Sequence, residues 1–307
     1  MSLTKRLRYA LREPFIGIVI KGISWLSFRQ NYRLGGLIGR ALYWLPNKLL
    51  ATTRRNVQAC LPELSKEEQE KLIKNSLMET ARGFTETAAM WMWPAERVAK
   101  LIQSVEGEEH VRAAQEQGKG VIIMTPHIGS WEMVGFYVST HYPMTTLFRE
   151  HRIKSLGKIM AKGRSKQGNQ PVPADIHGVR ALLQALKRGE TIGVLPDQDP
   201  GYEAGEFAPL FGIDAVTMTL TSKLLKKCDA VVLSTVGERL PNGKGFHIRF
   251  SPPVEGLRDP NLHASLVAMN KEVEHQIRLL PEQYLWSYQR FRRRPDRSDQ
   301  SFYDSSY

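Results

Sequence analysis

Apolar and polar positions along this chain follow two regimes that change near residue 102. Ahead of that point they recur at helical steps. From Glu67 to Met92, the residues Leu72, Ile73, Leu77, Ala81, Phe84, Ala88 and Met92 stand three and four positions apart, and Trp91-Met-Trp93 before Pro94 marks an end. That spacing predicts one long amphipathic helix. Beyond residue 102, short apolar runs alternate with helical stretches. Gly120 to Thr125, Met144 to Phe148, Thr191 to Leu195 and Ala230 to Val236 read as strands, and Ser130 to Val138, Ile153 to Lys166, Gly178 to Lys187 and Thr217 to Lys227 as helices. The alternation predicts an α/β body with a mostly parallel sheet flanked by helices, preceded by an N-terminal helical region.

Composition narrows the class. The chain has 307 residues, 42% of them hydrophobic, enough for one large domain or two small ones with a proper core. Cys60 and Cys228 lie far apart and outside any metal-type spacing, which argues against a disulfide framework or a zinc site and predicts two buried fillers. The apolar stretch near the start is interrupted by Lys21 and lacks a small-residue cleavage pattern, so the body is expected to face a reducing cytoplasm.

The net charge of +12 is concentrated at two ends, with about +10 in residues 1–55 and about +4 in Arg290-Phe-Arg-Arg-Arg-Pro-Asp-Arg297. Basic patches attract anionic membranes, nucleic acids and acidic proteins alike. The runs Phe15 to Phe28 and Leu34 to Leu45, rich in aliphatic and aromatic residues with arginines at their flanks, favour a membrane. As a helix the first run is roughly 21 Å long against roughly 30 Å of hydrocarbon. Lys21 at the bilayer centre would add about 2.5–3.5 kcal/mol to insertion. Residues 1–50 are therefore expected to form basic, hydrophobic, membrane-associating helices at the interface or tilted into it, with ordinary core helices as the other reading. Residues 51–307 would then be the α/β domain with its basic tail.

Candidate chemistry begins at Val121-Ile-Ile-Met-Thr-Pro-His127-Ile-Gly-Ser-Trp-Glu132, where an apolar strand stops at a proline and delivers a histidine and a glutamate five positions apart. On one continuous helix that offset would splay the two side chains. They can meet if His127 sits in the turn and Glu132 on the following helix. A histidine oriented by a carboxylate suits a general base acting on a hydroxyl. In parallel sheets ligands gather beyond the carboxyl ends of the strands, and three predicted strands end there with His127, Arg149 and Asp197.

Pro196-Asp-Gln-Asp-Pro-Gly201 opens a connection running to Asp214 that carries Phe207, Leu210 and Phe211, readable as a lid over an apolar groove or as a segment packed onto the body. Pro281 to Pro295 reads as an aromatic helix joined to a basic tail. Tyr284, Trp286 and Tyr288 precede the basic run instead of alternating with it, which argues against a nucleic-acid surface.

Several blocks in one order resemble the late-acting lipid A acyltransferases, the lauroyl- and myristoyl-type enzymes of Gram-negative bacteria. They are the basic N-terminus, Arg54-Arg-Asn-Val-Gln-Ala-Cys-Leu-Pro-Glu-Leu-Ser65, His127 with Glu132, Gly178 to Gly189, Pro196-Asp-Gln-Asp, Phe211-Gly212, and Glu282-Gln-Tyr-Leu-Trp286 through Pro295. The resemblance implies transfer of a fatty acyl chain from acyl carrier protein to a hydroxyl of a lipid A precursor, at the cytoplasmic face of the inner membrane. It implies His127 as general base with Glu132 orienting the imidazole, and no metal or organic cofactor. Partners would be the carrier protein, a phosphorylated glycolipid and inner-membrane lipids, with no nucleic acid.

Arg149, Arg164 and Arg180 are candidates for anion contacts, Arg149 first. Asp197 and Gln198 would shape the site or position sugar hydroxyls, or serve as turn residues. Glu150 follows Arg149 where this family often has proline, and Tyr288 stands where its tail often has histidine. A glycerol-phosphate-type acyltransferase shares the histidine/acid motif, but its Phe-Pro-Glu-Gly-Thr-Arg type block is absent here. A basic membrane- or nucleic-acid-binding protein without catalysis is the alternative of another class.

Overall fold

The computed structural model describes residues 16–148, 153–165, 168–296 and 302–303. Helices come first: α1 (16–24), α2 (Phe28–Trp44), α3 (Lys48–Cys60), α4 (Lys66–Met92) and the short α5 (Ala95–Ala99). α4 starts where Ser65 and Glu68 each bond the other's backbone N–H, a reciprocal cap that satisfies two orphan donors, and stops ahead of Pro94. α2 lies directly on α4. A Cβ on Gly35 would stand 2.6 Å from the Arg82 Cα and one on Gly39 2.3 Å from the Met78 Cα, so this seam admits only glycine.

The body continues as β1 (Ile102–Glu106), α6 (Glu109–Glu116), β2 (Gly120–Met124), α7 (Trp131–His141), β3 (Met144–Phe148), α8 (Lys154–Ser165), β4 (Asn169–Pro173) and α9 (Ile176–Lys187). After these come β5 (Thr191–Val194), β6 (Gly205–Leu210), β7 (Ile213–Met218), α10 (Leu220–Leu225), β8 (Ala230–Leu240), β9 (Gly245–Pro253) and α11 (Leu262–Leu279). Seven strands form one sheet in the order β1-β9-β8-β2-β5-β3-β4. The block from β8 to β4 is parallel, while β9 runs antiparallel to β8 and carries β1 parallel to itself. The α/β class and the mostly parallel sheet flanked by helices are as the pattern predicts.

β2 lies inside the parallel block, and all of its residues are buried. Its continuous apolar run is what a strand covered on both faces needs. Val121 and Ile123 pack with α4, α6 and α7, whereas Ile122 and Met124 pack with α9, α10 and α11. A third core, formed by α3, α4, β6, β7, α11 and residues 284–291, closes over the carboxyl ends of the strands.

Three segments depart from the predicted elements. Thr217 and Met218 finish β7, so the helix expected from Thr217 to Lys227 shrinks to α10. The long connection before Asp214 contains a β-hairpin, in which Leu210 pairs with Ile213 across the two-residue turn Phe211–Gly212. Both turn residues have positive φ, 52° and 71°, which suits the twist of a tight hairpin. The hairpin packs onto α11, and Phe211 lies 5.9 Å from the Trp286 ring. The aromatic helix expected after Pro281 is instead one 3-10 turn, Pro281–Gln283, followed by irregular chain. Tyr284 and Trp286 are both buried, a two-residue alternation that helical chain does not produce, and Tyr284 bridges Ile128.

Cys60 is buried and Cys228 only half-buried. Among the described residues no helix is long and apolar enough to cross a membrane.

Candidate active site

β2 and β5 are hydrogen-bonded parallel neighbours, so the turns after them emerge side by side. The β2 turn carries His127 and the β5 turn carries Asp197 and Gln198. Asp197 receives the His127 backbone N–H on Oδ2 at 3.0 Å, and its Oδ1 lies 2.9 Å from His127 Nδ1. Both carboxylate oxygens thus serve one residue. Burial pushes the Asp197 carboxyl up, but electrostatic attraction to His127 and the hydrogen bonds from it outweigh burial and leave it below the ordinary aspartate value. With Nδ1–H donated to Asp197, Nε2 carries the lone pair, and the Gln198 amide nitrogen lies 3.0 Å from it. Leu285 N–H donates to the His127 carbonyl at 3.0 Å, and the Trp131 ring centroid is 4.7 Å from the imidazole.

Glu132 occupies a different place from the one its spacing suggested. It sits on the first turn of α7, buried, and accepts from Trp91 Nε1 at 3.1 Å and from Arg164 Nε at 3.2 Å, with a second Arg164 nitrogen on its other oxygen. The imidazole's carboxylate is therefore Asp197. Arg164, on α8, is pulled down by burial and raised further by Glu132, ending above the usual guanidinium value. Arg180 is exposed on α9, which packs on the opposite face of the sheet. Arg149 lies outside the described residues.

The turn itself is braced from behind. Gly129 (φ 58°) approaches β8 so closely that a Cβ would stand 2.1 Å from the Gly237 carbonyl oxygen. Gly129 N–H donates to the Gln283 carbonyl at 3.0 Å, and Arg239 on β8 donates to the Gly129 carbonyl at 3.2 Å. The same guanidinium holds both Glu86 oxygens at 2.7 Å and Glu79 at 2.6 Å. Burial pushes the Glu86 carboxyl up against the pull of Arg239. Sequence reasoning missed this cluster. Its signal was there: Glu79 and Glu86 stand two turns apart on α4, among apolar neighbours.

Asp199 closes the β5 turn on the C-terminal segment. It accepts from Arg292 Nε at 2.6 Å and Arg293 Nε at 2.9 Å, and its own N–H donates to the Tyr288 hydroxyl at 3.0 Å. Arg290 is buried and donates to the Val216 carbonyl. Much of the basic tail is therefore internal wiring.

Two cavities adjoin these groups. One, of 410 Å³, runs between α7 and the sheet, lined by apolar residues such as Ile123, Val134, Leu147, Val194, Met218 and Leu220. The other, of 250 Å³, lies between α4, α8 and the His127 turn, with Phe84, Trp91, Met160 and Leu285 in its wall. Trp131, Glu132, Arg164 and Gln198 line both. Among the described residues no three His, Cys, Asp or Glu side chains gather so as to hold a metal ion.

A family model described as bacterial lipid A biosynthesis acyltransferase matches residues 3–293. The chain belongs to this acyltransferase family. The Escherichia coli (strain K12) lipid A biosynthesis palmitoleoyltransferase is 31% identical to it over 280 residues, covering 89% of this chain and 90% of that protein. The lauroyltransferase of the same strain is 29% identical over 280 residues, covering 90% of each. Its myristoyltransferase is 24% identical over 234 residues, covering 75% of this chain and 71% of that protein. Membership makes this chain an acyltransferase of lipid A biosynthesis.

Proposed function

We propose that this acyltransferase moves a fatty acyl chain from acyl carrier protein to a hydroxyl of a phosphorylated lipid A precursor, at the cytoplasmic face of the inner membrane, with His127 as general base. The observation that carries this reading is His127 itself: Asp197 fixes its tautomer, and its Nε2 is bonded to Gln198, which lines both cavities.

In this mechanism the acceptor hydroxyl takes the place of the Gln198 amide on Nε2. Its oxygen attacks the thioester carbonyl carbon as Nε2 takes its proton. The ionised Asp197 stabilises the imidazolium, as a buried carboxylate on Nδ1–H does in other acyl-transfer sites. Collapse of the tetrahedral intermediate breaks the carbon–sulfur bond, and the departing thiolate recovers the proton from His127. The acyl chain occupies the 410 Å³ apolar cavity, while the acceptor enters through the 250 Å³ one. Arg164, bordering both, meets the acceptor's phosphate with Glu132 setting its orientation. Arg149 remains the candidate for a second phosphate contact.

Membrane association is supported by exposed apolar side chains on the helical side of the molecule: Ile18, Trp25, Leu37, Trp44, Leu45 and Phe84 are each at least 60% exposed. Arg29, Arg33 and Arg40 are exposed on α2. This combination suits residues 1–50 lying at an anionic interface. Phe84 also lines the smaller cavity, so a lipid acceptor would pass from the bilayer directly into it.

The test is a mass-spectrometric transfer assay with loaded carrier protein and a lipid A precursor. A gain of one acyl chain is expected with the wild type, and turnover about 10²- to 10⁴-fold lower with a folded His127→Ala variant. Undiminished transfer by that variant would overturn the general-base role.

A further inference from the structure

The larger cavity has one wall made by a single helix stripe. Trp131, Gly135 and Ser139 stand at successive four-residue steps on α7, and all three line it. At the helical rise, Gly135 lies about 6 Å and Ser139 about 12 Å below Trp131, which touches the His127 ring. Met144 and Asn169, at the starts of β3 and β4, line the far end with Ser139. Gly135 is therefore at mid-depth.

Glycine inside a helix lowers helix stability relative to alanine, so a glycine there calls for a packing reason. Several helical glycines have one, although Gly17 and Gly22 at the exposed α1 do not. Gly35 and Gly39 meet the α4 backbone, and a Cβ on Gly163 would stand 2.8 Å from the Trp91 Cα. Gly135 does not: nothing lies within 4 Å of the position its Cβ would take. The missing side chain leaves open space on the cavity side. On β5, Gly193 is paired in register with Ile123 and Thr146, and all three line the same cavity.

We propose that Gly135 sets the length of the acyl chain: its bare backbone keeps the deep half of the cavity open, and a side chain at this position closes it. The inference rests on the acyl-transfer reading above. A Cβ at 135 meets nothing within 4 Å, so a side chain can leave α7 there and enter the channel.

The experiment measures kcat/KM for carrier-protein donors graded from octanoyl to palmitoyl, with wild type, Gly135→Leu, Gly135→Ala and Ser139→Leu. Gly135→Leu is expected to lose about fourfold for each methylene it excludes, with the short donors retained. Gly135→Ala shifts preference the same way by less and raises Tm, since alanine is the better helix residue. Ser139→Leu, at the far end, discriminates only against the longest donors. Should Gly135→Leu not fold, the alanine and Ser139 variants still read the gradient. An unchanged long-to-short ratio in folded Gly135 variants that transfer acyl groups overturns the role of this residue alone. Failure of the wild type to transfer from any donor overturns the functional reading itself.

Discussion

Two buried carboxylates flank the His127 turn, and they differ in what they hold. Asp197 gives both oxygens to His127, one to its ring and one to its backbone. Glu132, only five positions from the histidine, gives its oxygens to Arg164 and Trp91. The near carboxylate in sequence is the distant one in bonding, because strand order decides what meets in a parallel sheet. β5 lies beside β2, so the turn seventy positions onward lands on the imidazole. Glu132, on the first turn of α7, faces α8 instead.

Neutralising each carboxylate breaks the comparison in a different way. Asp197→Asn, which leaves Nδ1 without its ionised acceptor, is expected to lower kcat by on the order of 10²-fold or more and to alter its pH profile. Steady-state kinetics across pH would check this, and a profile unchanged from wild type would return Glu132 to the role of orienting group. The Glu132–Arg164 pair should behave as an ion pair. Glu132→Gln strands a half-buried guanidinium, at a cost of about 1–3 kcal/mol, below that of a fully enclosed pair. Adding Arg164→Gln should restore much of that stability, measured by denaturant unfolding of the four proteins in a double-mutant cycle, whereas additive losses would mean the two side chains act independently.

The smallest effect is the acid dependence of stability. The Asp197 carboxyl sits below its ordinary value in the folded protein, so its stabilising contribution is complete above the unfolded pKa near 4 and disappears as the pH falls through the lower folded value. The stability gap between wild type and Asp197→Asn should therefore narrow in acid as the pH falls below about 4. A gap that widened there would contradict the hydrogen-bonding described for this residue.

Much of this site was legible in the chain. The unbroken apolar run of β2 announced a central strand, and the turns after β2 and β5 were marked by Pro126-His127 and Pro196-Asp197-Gln198. What could not be read was adjacency, since no local pattern states that β5 rather than β3 lies next to β2. Arg180 was misplaced for the same reason: its helix packs on the other face of the sheet. β9 was legible but missed, because Phe246, Ile248 and Phe250 alternate with His247 and Arg249 as a strand requires. Phe211 defied local rules. Positive φ favours glycine or asparagine, and here the ring is held by Trp286 and by the Arg278 guanidinium 5.0 Å above it.

The clasp of residues 284–293 on the His127 and Asp197 turns also bears on how the molecule is made. Tyr284 and Leu285 hold the His127 turn, and Arg292 and Arg293 hold Asp199. These partners emerge from the ribosome about 160 residues after His127. Throughout that interval the turn and the apolar strand behind it stand without their final bracing, so the nascent chain passes through a stage when β2 is present and the site is not. An apolar strand exposed at that stage is a surface on which partly folded chains aggregate, so folding during synthesis depends on the late arrival of this segment.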